Sequence, residues 1–188
     1  MCTPSLFPVI RTFQEGIIIF WSTLLKTAGV IRKATTDDID SIFTIIKFYS
    51  DGGIILERSL KDLKSSLYYF YVAEISQTIV GTCSYYDYGG HLMEIRSLGV
   101  KKNFLRQDIG SALIKRVIQD LCALNKPKIF VLTYTPEFFK RNGFSIISKN
   151  TLPEKIWKDC VTCKNIDTCN EIALEYNCQT GESGSVGL

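Results

Sequence analysis

The chain has 188 residues, 46% of them hydrophobic and 22% charged, the balance of a soluble globular protein with length for one domain and a buried core. Lys plus Arg total 22 against 19 Asp plus Glu; a net charge of +3 argues for no nucleic-acid footprint, so any polyanion must be met locally. Seven cysteines, odd in number and unevenly placed, fall short of a disulfide-dense secreted scaffold and fit free thiols or a metal in a reducing compartment, hence a cytoplasmic setting.

Residues 1–29 read as an N-terminal extension. Within them Gly16 to Leu25 is strongly apolar but shorter than the roughly 20 residues a bilayer requires, leaving an extension outside the fold, a packed helix or an export signal as its readings. No membrane partner is expected. A domain then opens with a short strand over Ile31 to Ala34, followed by Thr35 or Thr36 as a helix N-cap with Asp37 and Asp38 in the first turn. Ile39, Ile42, Phe43, Ile46 and Tyr49 recur at helical spacing up to Gly52 and Gly53. Ser59 to Leu67 suggests a shorter helix, and Tyr69 to Ile75 and Thr78 to Tyr86 two antiparallel strands about a Ser76-Gln77 turn.

Leu92 to Val100 reads as another strand, Ile109 to Leu124 as a long amphipathic helix, and Lys128 to Thr133 as a strand buried on both faces. Strand, helix and buried strand in that order form a crossover, so the class is mixed α/β: one parallel pair inside a mostly antiparallel sheet flanked by helices. Pro136 to Asn142 predicts a short helix stopped at Gly143, before a strand over Phe144 to Ile147. Residues 152–176 carry cysteines and a last strand, Ile172 to Tyr176; residues 177–188 are polar and Gly/Ser-rich, the composition of a disordered tail.

The chemistry concentrates in Glu94 to Leu113, where a strand feeds a loop and then the N-terminus of the long helix. Unpartnered backbone N–H groups and the helix dipole make that junction an anion site, although an ordinary strand-to-helix turn with Gly110 placed for close packing has the same spacing. The stretch resembles the pyrophosphate loop of the GNAT acetyltransferases, Gln/Arg-x-x-Gly-x-Gly/Ala between strand and helix. Further segments carry the likeness over residues 30–176: Ile55 to Ser59, Met93 to Leu98, Phe130 to Tyr134, Phe138 to Phe144 and Leu152 to Lys155. They are most similar to the N-acetylglutamate synthase branch. The resemblance implies a GNAT fold, acetyl-CoA as co-substrate and transfer to the α-amine of glutamate or glutamine, the first step of arginine biosynthesis. Another amine acceptor, or a non-catalytic acyl-CoA-binding regulator, is the alternative.

The loop departs from the family pattern, with Leu105 at its first position and Asp108 at its first glycine, leaving Gly110 in place. A carboxylate roughly 6 Å from a phosphate costs on the order of 1–3 kcal/mol, or about ten- to hundredfold in affinity. Arg106 two residues upstream offsets this, as would a side chain of Asp108 turned to cap the helix. On the resemblance, Arg106, Gln107, Asp108, Ile109, Gly110 and Ser111 bind the coenzyme with Phe138, while backbone N–H groups of Leu98, Gly99 and Val100 meet the thioester oxygen and pantetheine.

Acetyl transfer to an amine needs a base and donors for an oxyanion. Glu94 matches a position where relatives carry the base. The tyrosine acid of many relatives is replaced by Phe139, leaving Tyr134, or departure of an unprotonated thiolate. A dicarboxylic acceptor calls for arginine forks: Arg58, and Arg96 on the same strand face as Glu94, with Lys155 as a third cation. For the three cations a surface ion pair is the other reading, and more so for Lys155; for Glu94 it is a surface strand carboxylate, and for Tyr134 a core or substrate-wall tyrosine. Cys160, Cys163, Cys169 and Cys178 have spacing compatible with structural zinc, with inert or redox-sensitive thiols as the other reading; His91 sits apart in a loop. Beyond the amino-acid substrate, a second copy of the chain is the one partner the sequence suggests.

Overall fold

The computed structural model describes residues 29–89, 92–124, 128–152 and 170–178. Most of the N-terminal extension, His91, Lys155, Cys160, Cys163, Cys169 and residues 179–188 lie outside them. The first strand, β1 (Val30–Lys33), leads through a 3-10 turn at Thr36–Asp38 into α1 (Ile39–Asp51). The turn is held by Asp38, whose Oδ2 accepts from the Thr35 amide at 2.8 Å and whose two oxygens accept from the Arg32 guanidinium at 2.7 and 2.9 Å. Asp38 is therefore a buried ion-pair partner as well as a first-turn carboxylate.

Helix α2 (Leu60–Ser66) starts where the Ser59 hydroxyl accepts from the Asp62 amide. Strands β2 (Phe70–Ile75) and β3 (Thr78–Asp87) form the expected antiparallel hairpin. Its turn residues Ser76 and Gln77 have φ of 48° and 60°, the positive pair that matches the right-handed twist of the flanking strands. Strand β4 (Leu92–Val100) precedes α3 (Ile109–Ala123) and β5 (Lys128–Thr133). Then follow α4 (Pro136–Arg141), the short β6 (Ser145–Ile146) and β7 (Ile172–Asn177).

The sheet order is β1-β2-β3-β4-β5-β7-β6, with β4 and β5 parallel and the other neighbours antiparallel, as the crossover predicts. Each face has its own core. Tyr71, Val80, Met93, Ile95, Ile129 and Val131 face α3, which buries Leu113, Ile114, Val117 and Leu121 against them. On the opposite face Phe70, Val72 and Ile79 receive Ile42, Ile45 and Ile46 of α1 and Leu63 of α2. Leu92, Phe130, Leu152 and Ala173 form a smaller third cluster. Strand alternation thus sends Glu94 and Arg96 away from α3 and onto the face that α1 and α2 partly cover.

The cysteines depart from the expectation of free thiols. Cys122 near the end of α3 and Cys178 just beyond β7 form a disulfide, with Cα atoms 5.5 Å apart. Cys178 therefore has no thiolate to give a metal. Among the described residues no group of three His, Cys, Asp or Glu could hold a metal, and no helix is long and apolar enough to cross a membrane. Cys83, the free cysteine among the described residues, is buried, and desolvation pushes its thiol up to about 12.

Candidate active site

Parallel strands β4 and β5 pair at three positions: Leu92 with Lys128, Met93 with Ile129 and Glu94 with Phe130. Beyond them β5 continues along β7 to the Thr133–Ile172 pair, while β4 continues along β3 to the Val100–Gly81 pair. The two strands splay, so the β5-side backbone edge of β4 from Ile95 to Val100 runs on past the last β5 pair. A register shift between Thr82 and Ser84 and a left-handed Ser97 (φ 50°) mark a bulge at the same place, which re-aims the strand. The predicted donors Leu98, Gly99 and Val100 lie along this edge.

Gly99 is required by packing. A Cβ there would come within 2.8 Å of Ile45 Cγ2 and 3.1 Å of the Tyr49 ring, so α1 rests directly on β4. The Tyr49 hydroxyl also donates to the Val100 carbonyl, fixing the end of the strand.

After β4 the chain makes a 3-10 turn at Lys102–Phe104 and then the anion loop. Arg106 and Asp108 both have left-handed backbone, φ 62° and 57°, and the Gln107 side-chain Nε2 donates to the Asn103 carbonyl at 3.3 Å. The first helical bond of α3 runs from the Ala112 amide to the Asp108 carbonyl, so the amides of Ile109, Gly110 and Ser111 precede the hydrogen-bond ladder. Gly110 packs on α4, where a Cβ would meet the Phe138 ring at 3.2 Å.

The expected side-chain cap by Asp108 is absent: the residue holds the N-cap position without a side-chain cap hydrogen bond. Side-chain caps reach back from extended backbone, and the left-handed conformation turns Cβ elsewhere. Asp108 and Gln107 instead line a cavity of about 270 Å³ with Gly29, Ile31, Ala73 and Ile75, on a different side of α3 from Phe138.

Glu94 is 7% exposed and lies opposite Tyr86 of β3 and Phe130 of β5. Its Oε2 accepts from the Tyr88 hydroxyl at 2.9 Å and from Arg96 Nε at 2.5 Å, and Arg96 donates from its second nitrogen to the Tyr88 oxygen. The triangle sits in an aromatic frame. The Arg96 guanidinium lies 4.5 Å from the Tyr86 ring centre, and the Tyr88 ring is 4.7 Å from Tyr86 and 5.9 Å from Phe130. Glu94 and Arg96 are thus brought together as partners of each other.

Arg58 reaches the same face by another route. Its guanidinium lies 5.7 Å over the Phe70 ring, Phe70 pairs with Ser84, and Ser84 with Arg96, so the two arginines stand over one cross-strand row. Two strand spacings, on the order of 10 Å, separate Phe70 from Arg96 along that row. Arg58 itself pairs with Asp62 and donates to the Ser66 hydroxyl at 3.0 Å.

Tyr134, 39% exposed, directly follows β5, where the Thr133 and Thr135 hydroxyls lie 3.1 Å apart. Phe139 is a core residue, 3% exposed and edge-on to Phe138 and Phe144. The side chains sequence reasoning missed are Tyr86, Tyr88 and Tyr49. Alternation from Glu94 through its cross-strand neighbour would have reached Tyr86 and Tyr88; the hydroxyl of Tyr49 hid inside a correct helix-face pattern.

This frame has clear relatives. Residues 66–146 match the model of the acetyltransferase (GNAT) domain. An uncharacterized N-acetyltransferase of Chlorobaculum tepidum is 35% identical over 144 residues, 77% of this chain and 93% of the relative. The amino-acid acetyltransferase of Mycobacterium tuberculosis is 29% identical over 150 residues, 78% of this chain and 86% of that one. Among solved structures, the N-acetylglutamate synthase of Neisseria gonorrhoeae complexed with coenzyme A and N-acetyl-glutamate matches with a TM-score of 0.73 at 25% identity, over 80% of this chain and 35% of that one. The splay beside an amide-lined helix start, read together with these relatives, means that the chain belongs to the GNAT acetyltransferase family and is an acetyl-CoA-dependent N-acetyltransferase.

Proposed function

We propose that the enzyme transfers acetyl from acetyl-CoA to the α-amine of an acidic amino acid or its amide, glutamate or glutamine, as the first step of arginine biosynthesis in the cytoplasm. The observation that carries this reading is the pair of arginines on one face of the sheet beside a buried carboxylate at the mouth of the splay. The pyrophosphate goes to the start of α3, with the amides of Ile109 to Ser111 as donors and Arg106 and Gln107 beside them; Phe138 lines the same junction. Pantetheine runs along the open edge of β4, and amides between Leu98 and Val100 stabilise the oxyanion.

Glu94 serves as the base, directly or through water. The amine nitrogen attacks the thioester carbon to give a tetrahedral oxyanion, which re-forms the carbonyl as the C–S bond breaks, and Tyr134 protonates the departing thiolate. Arg58 and Arg96 take the acceptor's carboxylates, with Lys155 as a further cation. The relatives named amino-acid acetyltransferase support an amino-acid acceptor.

Thiol release from acetyl-CoA, measured against a panel of the common amino acids, polyamines and a peptide N-terminus, tests the proposal. Glutamate or glutamine should dominate. Turnover confined to polyamines or peptides would overturn the acceptor assignment.

A further inference from the structure

The two roles given to Glu94 and Arg96 compete in the structure as it stands. A base that deprotonates an ammonium needs a proton affinity matched to the working pH. Glu94 has a guanidinium and a hydroxyl donating to the same oxygen, and an opposite charge at that distance favours the ionised carboxylate over the protonated form. Arg96, in turn, cannot give its full fork to an acceptor while its Nε is held by Glu94.

We propose that Arg96 exchanges carboxylates during the catalytic cycle: the α-carboxylate of the incoming amino acid takes the guanidinium from Glu94, which becomes the base only on an acceptor-loaded enzyme. This rests on the function proposed above and assigns the substrate's ends. An α-carboxylate is one carbon from the amine, so an acceptor whose amine faces Glu94 brings that group to the adjacent Arg96. Its side chain points along the cross-strand row toward Arg58. The Tyr88 hydroxyl stays behind as the donor that keeps Glu94 oriented after Arg96 leaves.

The proton count closes. The acceptor ammonium gives one proton to Glu94 and thence to solvent. The amine attacks the thioester carbon, the C–S bond breaks, and the second nitrogen proton ends on the sulfur of coenzyme A.

The surroundings are compatible with a one-guanidinium switch. Among the described residues, the titratable or charged groups on this face include Tyr86 of β3, Tyr88 after it, Arg96 on β4, Tyr49 of α1 at the end of β4, and Arg58 above β2 with its partner Asp62 of α2; Arg32, Asp38 and Glu74 lie further along toward β1, and Lys128 of β5 and Glu175 of β7 toward the other edge. Lys128 and Glu175 lie 3.9 Å from each other. Phe130 and Leu132, the nearer residues of β5 on that face, do not titrate.

The test is the pH dependence of thiol release with the preferred amino acid. In the wild-type enzyme the acid limb of kcat, which reports the loaded enzyme, should lie at higher pH than that of kcat/KM, which reports the free enzyme. With the α-carboxamide of the same amino acid the two limbs should coincide and kcat should fall at least tenfold. In Arg96→Gln they should also coincide, with a raised KM for the amino acid, and Arg96→Lys should restore part of the separation. Coincident limbs in the wild type, or a separation that survives both the carboxamide and Arg96→Gln, overturn the exchange while thiol release itself sustains the underlying function. No thiol release with any carboxylated amino acid overturns both.

Discussion

At the scale of single residues, Asp108 shows how backbone and charge decide together. Its φ of 57° is the conformation glycine adopts without strain, and Asp is among the few side chains that tolerate it. The family pattern made the position readable from sequence as a glycine site; its left-handed backbone explains why. Asp108→Gly should remove both the strain and a negative charge at the anion loop, tightening acetyl-CoA binding about ten- to hundredfold with a weaker salt dependence. Calorimetry at two ionic strengths measures this, and unchanged affinity would place the carboxylate outside the coenzyme's field. Arg58 gives a second prediction. It is half-buried over Phe70 and bonded to Asp62 and Ser66, so Arg58→Ala should raise the KM for the amino acid by an order of magnitude or more. Acetyl-CoA affinity should hold; an equal loss for both ligands would make Arg58 a packing residue. Tyr134→Phe should lower kcat about 10²-fold if its hydroxyl is the acid. Unchanged turnover would leave the thiolate to depart without a proton.

Whole elements were read more securely than their joints. The bounds of β4 and β5 follow from short apolar runs of strand length closed off by polar and turn residues. The splay between them was not readable, since it depends on β7 drawing β5 away and on the bulge at Ser97, neither of which has a local signature. The joint between β1 and α1 was likewise half seen: Asp38 reads as a first-turn acid, yet its partner Arg32 sits across the turn, on the preceding strand. Burial pushes the Asp38 carboxyl up, and the bonds from Arg32 and Thr35 more than reverse this, holding it below the usual carboxylate range. A folded-state pKa below the unfolded value of about 3.9 means the pair stabilises the fold above that pH and ceases to do so as pH falls through the folded value. Asp38→Asn should therefore cost about 1–3 kcal/mol at pH 7 and progressively less below pH 4. Urea midpoints of both proteins across that range would show the converging curves; parallel curves would mean the ion pair contributes nothing to stability.

For the molecule as a whole, the tie between Cys122 and Cys178 is the feature that composition concealed. The two cysteines are 56 residues apart, and only the topology makes them neighbours. Helix α3 ends just before β5 begins at Lys128, and antiparallel β7 finishes opposite that residue at Asn177, so the cysteine after Asn177 arrives at the end of the helix. A reading by local spacing instead grouped Cys178 with the nearer cysteines of the chain. Closing a loop of this length restricts the unfolded chain and stabilises the fold by about 2–4 kcal/mol, which corresponds to a Tm change on the order of 10 °C for a domain this size. The tie lies at the C-terminal end of α3, whereas the coenzyme site is at its N-terminus, about 20 Å away along a 15-residue helix. Cys122→Ser should accordingly lower Tm by that amount while leaving KM for acetyl-CoA within about twofold of the wild type. Reductant should lower the wild-type Tm equally and leave the variant unmoved. A wild-type Tm indifferent to reductant would mean that the purified chain carries this pair as thiols, as a reducing compartment favours.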